Sequence, residues 1–119
     1  MAIAAVTRTT IGTYAFRYTW APMANGDTGA VVDISDLPDA TFQVVTSTFG
    51  AGGTVVLEGS VGGAPDYFPL KDPSGAAISL TAAGGRALVE HPSSVRPRIS
   101  AGDGTTAINC VLFARRAGR

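Results

Sequence analysis

Apolar residues in this chain recur at every second position, and Gly, Pro, Asn or Asp interrupts the alternation about every 8–12 residues. A period of two sends successive side chains to opposite faces of a pleated strand, whereas an amphipathic helix repeats roughly every 3.6 residues. The chain is therefore restricted to strands packed in layers. In "TYAFRYTW" Tyr14, Phe16, Tyr18 and Trp20 share one face, and Ala15, Arg17 and Thr19 share the other. "AVVDI" groups Ala30, Val32 and Ile34, and "ATFQVVTSTF" groups Phe42, Val44 and Thr46. "TVVLEGS" sets Val55, Leu57 and Gly59 against Val56 and Glu58, and "AAISLT" aligns Ile78 with Leu80. In "TAINCVLFARR" both faces carry apolar groups, which predicts a central strand.

The turns fall between these runs. "NGD" at Asn25 to Asp27 favours left-handed turn conformations, and "GAGG" at Gly50 to Gly53 predicts a hairpin into "TVVLEGS". "DPSG" places Asp, Pro and Gly where a type I turn takes them, so a further hairpin is expected between "DYFPL" and "AAISLT". "AAGGRALVEHPSS" reads as a loop plus a short strand, because its double glycine disfavours a helix. About eight strands without a long helix predict an all-β fold of two packed sheets, a jelly-roll-like β-sandwich. Residues 12–116 are expected to form this domain, residues 1–11 an extended N-terminal arm unless they pair elsewhere, and residues 117–119 a C-terminal tail.

Charge narrows the function classes. Charged residues are 15% of the 119 and the formal net charge is zero, which disfavours nucleic acid as a partner. The charge is split along the chain: residues 1–85 hold three basic side chains against seven acids, a net of −4, and residues 86–119 hold six arginines against Glu90 and Asp103, a net of +4. Opposite patches of this kind favour head-to-tail contact between neighbouring copies. No apolar run approaches the length of a membrane span, and "MAIAAV" lacks the basic leader of a signal peptide, so no membrane partner is expected.

Candidates for chemistry are sparse. The single cysteine, Cys110, allows no internal disulfide and lies in an apolar strand, where a thiol behaves as a small hydrophobe. The single histidine, His91, has Glu90 and Ser93 as neighbours in sequence but no nucleophile-elbow signature. "DISDLPD" offers carboxylates without the ligand spacing of a calcium loop, and no glycine cluster ends in the Lys-Ser/Thr of a phosphate cradle. No catalytic residue, metal site or cofactor is predicted, and the chain is not expected to be an enzyme.

The aromatic stripe with Tyr18 and Trp20 has two readings, a core or inter-subunit packing face and a platform for sugars. In "SVRPRIS" Arg96 and Arg98 point outward together while Val95, Pro97 and Ile99 face the core. Pro97 cannot donate a ladder hydrogen bond, which confines this strand to an edge or a bulge. Two outward guanidinium groups also offer bidentate contacts to carboxylates of another protein. Arg96, Arg98, Arg115, Arg116 and Arg8, together with Tyr18 and Trp20, are the candidate partner-binding residues.

The succession "GTVVLEGSVGGAPDYFPLKDPSGAAISLTAAG" then "VEHPSSVRPRISAGDGTTAINCVLFARR" resembles small virion proteins of tailed bacteriophages, through the order of its short motifs over about Thr41 to Arg116. The resemblance implies a capsid decoration, or cement, protein: a β-sandwich, usually a homotrimer, bound outside the shell to the major capsid protein. It implies synthesis in the host cytoplasm and a final place on the virion's capsid surface. Carbohydrate-binding modules and tail or connector proteins use similar sandwiches and are the alternatives.

Overall fold

The computed structural model describes residues 2–63 and 66–116, and among them no helix occurs. Their strands are β1 Ile3–Ala4, β2 Val6–Gly12, β3 Ala15–Trp20, β4 Thr28–Gly29, β5 Val32–Asp33 and β6 Asp39–Val44, then β7 Thr54–Ser60, β8 Phe68–Pro69, β9 Ser79–Leu80, β10 Gly84–Ala87, β11 Ser94–Ala101 and β12 Cys110–Arg115. Seven of them form one sheet in the order β1-β4-β11-β7-β8, with β5 also on β11 and β9 also on β7; the other five form a second sheet in the order β10-β6-β12-β3-β2. The all-β two-sheet sandwich expected from the alternation is thus present. The strand total exceeds the expected eight because β1, β2 and β4 give no periodic signal: β1 and β4 are two residues long, and β2 is polar on both faces.

The core lies between the sheets, and the predicted faces supply it. Tyr18 and Trp20 of β3, Phe42 and Val44 of β6, and Cys110, Leu112 and Ala114 of β12 come from one sheet. Val55 and Leu57 of β7, with Val95 and Ile99 of β11, come from the other. β12 is central, between β3 and β6, as its two apolar faces predict. Burial pushes the Cys110 thiol up to about 12, so the residue serves as packing.

Several expectations need correction. The N-terminal arm is not free: Ile3–Ala4 pairs in parallel with Thr28–Gly29, and Val6–Gly12 pairs antiparallel with β3. Backbone pairing holds it, since Ala2 also donates to Asp27 Oδ1 at 3.0 Å and Thr28 donates to the Ala2 carbonyl at 3.0 Å. The expected tail, residues 117–119, lies outside the described residues. "GAGG" does not close a hairpin either, because β6 and β7 lie in different sheets. "AGDGTT" likewise carries the chain from one sheet into the other, and its Asp103 accepts from the Ala51 amide at 2.8 Å and from the Thr105 amide at 2.8 Å. Those bonds hold the Asp103 carboxyl down at about 2.

β11 is central rather than an edge. Ile99 donates to Asp27 at 2.9 Å, so the backbone nitrogen of Pro97, two residues earlier, faces the same side of the strand. On that side the neighbour is broken between β4 and β5, at Ala30–Val31. The register Arg98 to Thr28 sets Gly29 opposite Pro97, and beyond it both backbone groups of Ala30 turn away from β11: its carbonyl takes the Trp20 Nε1 proton at 2.8 Å, and its amide donates to the Ala4 carbonyl at 2.8 Å. The register slips by one residue between the pairs Arg98–Thr28 and Val95–Val32, a bulge of the kind at which a sheet accepts proline.

Candidate arginine docking face

Alternation on β11 turns Arg96 and Arg98 outward from the first sheet, and β7 places Glu58 directly opposite Arg96. Both guanidinium groups converge on that carboxylate: Arg96 Nε lies 3.0 Å from Glu58 Oε1, and Arg98 Nε lies 3.0 Å from Glu58 Oε2. The residue Glu58 is only 7% exposed, whereas the Arg96 and Arg98 side chains are 27% and 42% exposed. A buried acid thus orders two half-exposed cations, and the trio carries one net positive charge. The Arg96 guanidinium also stacks 3.8 Å from the centre of the Tyr67 ring, which fixes its plane. Neither arginine's terminal nitrogens hydrogen-bond any described residue, so both present free donor edges to the outside.

A groove of about 470 Å³ runs beside this pair, lined by Ile3, Thr28, Gly29, Ala30 and Val31 with Arg96 and Arg98. Ile3 and Val31 are both exposed large hydrophobics. The arrangement is a shallow apolar trough beside a positive fork, suited to an acidic and aliphatic stretch of another protein. Glu58 and Tyr67 were not expected in this role. The signal for Glu58 was available, as the single charge in the strand "TVVLEGS"; the signal for Tyr67 was not, since only the fold brings it over Arg96.

Removing the carboxylate tests this ordering. Glu58→Ala is expected to lower the unfolding free energy by about 1–3 kcal/mol in urea titration, below the loss for a fully buried ion pair because both guanidinium groups still reach water. Glu58→Gln should lose less, and an unchanged midpoint for both would mean that the three side chains are not coupled.

The remaining candidates lie elsewhere. Tyr18 and Trp20 are core residues, Trp20 being 1% exposed with its indole nitrogen bonded to Ala30, so they do not form an exposed binding platform; the sheet that covers their face removes them from contact with a partner. Arg115 and Arg116 belong to the end of the second sheet, where they pair with Asp39 at 3.1 Å and Asp36 at 3.3 Å. Arg8 lies on β2 with its guanidinium 5.2 Å from the Phe16 ring, and Arg116 approaches the same ring at 5.8 Å. The structure therefore divides the arginines into two separate groups, one on each sheet.

The charge split along the sequence is resolved inside the molecule. Each ion pair joins an arginine from the C-terminal third to an acid from earlier in the chain: Arg86 to Asp72, Arg96 and Arg98 to Glu58, Arg115 to Asp39 and Arg116 to Asp36. His91 is exposed and does not line the trough beside Arg96 and Arg98. Among the described residues no cluster of three or more His, Cys, Asp or Glu side chains could hold a metal ion.

No family model matches the sequence, and neither does any curated protein. Among solved structures, the fold is similar to a cupin domain from Bordetella pertussis Tohama I, with a TM-score of 0.53 and 15% identity over 96% of this chain and 94% of that one. At this identity the likeness concerns the fold alone: a jelly-roll-like sandwich spanning nearly the whole chain.

Proposed function

We propose that the protein is a structural component of a phage virion that binds the outside of the capsid and cements it by bridging subunits of the major capsid protein. The observation that carries this reading is the outward pair Arg96 and Arg98, held in register by Glu58 beside an apolar trough, whose terminal guanidinium nitrogens bond no side chain or backbone group among the described residues. Such a face recognises carboxylates of a protein surface and supplies no reactive group, so the role is adhesive rather than catalytic. The order of motifs from Thr41 to Arg116 points the same way. Contacts made only on an assembled shell stabilise that shell by mass action, and several weak contacts on one oligomer act together. The alternative of a sugar-binding module loses its platform with Trp20 and Tyr18 in the core.

The test is co-sedimentation with empty shells assembled from the major capsid protein of the same genome. Bound protein is expected in the shell fraction, with the shells' thermal disruption moved to higher temperature. Protein left in the supernatant, with shell stability unchanged, would remove the proposal.

A further inference from the structure

We infer that the trough beside Arg96 and Arg98 binds a free aliphatic monocarboxylate, its carboxylate on the two guanidinium groups and its alkyl chain along Thr28–Val31 toward Ile3. The inference rests on the reading of this face as a binding site, and it names a small ligand that would compete there with the capsid. Charge sets the head group. Glu58 balances one of the two arginines, so one further carboxylate brings the four groups to neutrality, and a second would stand unpaired. Glu58 holds both Nε atoms and the Tyr67 ring lies against Arg96, so the terminal nitrogens are placed before a ligand arrives. No acid lines the trough.

The floor sets the tail. Thr28 pairs with Ile3 on one side and with Arg98 on the other, so the three stand in one row across the outward face of the sheet. Thr28 is 9% exposed while Ile3 and Val31 are 76% and 49% exposed, which gives the row an open apolar end and a cationic end. Two strand spacings separate Ile3 from Arg98, roughly 9–10 Å, a span that an extended chain of about eight carbons covers at C–C bonds of ~1.5 Å.

The backbone along this floor is already bonded. The Thr28 amide donates to the Ala2 carbonyl at 3.0 Å, the Ala30 amide to the Ala4 carbonyl at 2.8 Å, and the Ala30 carbonyl accepts from Trp20 Nε1 at 2.8 Å. A peptide laid there gains no backbone bond, whereas an alkyl chain needs none. This favours an acyl chain over the carboxyl end of a peptide, which carries the same head group.

The test is titration of the free protein, without shells, by straight-chain carboxylates from butanoate to dodecanoate, followed by nuclear magnetic resonance. Octanoate is expected to shift the Nε–H signals of Arg96 and Arg98 and the amides of Thr28 to Val31. Each methylene up to octanoate should tighten binding about two-fold, less than the roughly four-fold of full burial because the trough is open on one side, and longer chains should gain little. Octanol should bind at least ~10-fold more weakly than octanoate, and Arg98→Gln should weaken octanoate by a similar factor. Val31→Ser should flatten the gain with chain length, and both variants should keep the wild-type circular dichroism spectrum. Absence of shifts at millimolar octanoate, shifts centred elsewhere, octanol bound as tightly, or an affinity still rising past decanoate would overturn the inference. So would tighter binding of a short polar peptide that ends in leucine with a free carboxylate. Octanoate bound by a protein that never co-sediments with shells would uphold this site and remove the capsid reading; shells bound by a protein that ignores octanoate would do the reverse.

Discussion

Replacing Trp20 by alanine is expected to lower the unfolding free energy by about 3–5 kcal/mol, the usual cost of emptying a buried tryptophan site, and to depress Tm by roughly 10–20 °C. The side chain leaves β3 in the second sheet, crosses the core and bonds Ala30 O in the first sheet at 2.8 Å. It therefore joins the two layers where the strand beside β11 is broken. Trp20→Phe keeps most of the apolar volume but leaves the Ala30 carbonyl without that donor, so a loss of about 1–3 kcal/mol is expected. Were the indole an exposed stacking surface, both variants would stay within about 0.5 kcal/mol of wild type in urea titration.

Gly29→Val is expected to cost about 2–3 kcal/mol or more for the opposite reason, overpacking. A Cβ at Gly29 would lie 2.7 Å from Pro97 Cγ, Pro97 Cδ and Trp20 Cδ1, closer than side-chain atoms approach. None of these is the free end of a flexible chain, so the sheets must move apart. Gly12, where an added Cβ meets nothing within 4 Å, is the control, and Gly12→Ala should be close to neutral. Trp20 and Gly29 touch, so their effects should not add: Gly29→Ala in a Trp20→Ala background should cost less than in wild type, with a coupling of roughly 0.5–3 kcal/mol. Additive losses would show that the two residues act separately.

The faces of the strands were legible in the sequence because side-chain direction is a local property. Val55, Leu57 and Gly59 point inward, and Glu58 with Arg96 and Arg98 outward, as their spacing requires. Pairing was not legible, because period two states which face a residue takes and nothing about which sheet it joins. "GAGG" and "AGDGTT" therefore look like hairpin turns although each is a crossing between layers. Pro97 suggested an edge or a bulge since proline silences one donor, and choosing between them needed the register slip at Gly29 to Val31, more than sixty residues earlier. β2 was hidden for a different reason: Thr7, Thr9 and Thr10 flank Arg8, so polar groups occupy both faces and no alternation marks a strand. The outward aim of Arg96 and Arg98 was readable, but their shared carboxylate required the register of β7 against β11.

Equilibrium binding to preassembled empty shells tests the adhesive role most directly when wild type is compared with the double variant Arg96→Lys/Arg98→Lys. Lysine keeps the charge opposite Glu58 and hence the fold, but loses the planar donor edge that faces outward. The docking-face account predicts an unchanged urea midpoint within about 1 kcal/mol and a shell affinity at least ~10-fold weaker. Equal affinity of the two proteins for the shell, at equal stability, would contradict it.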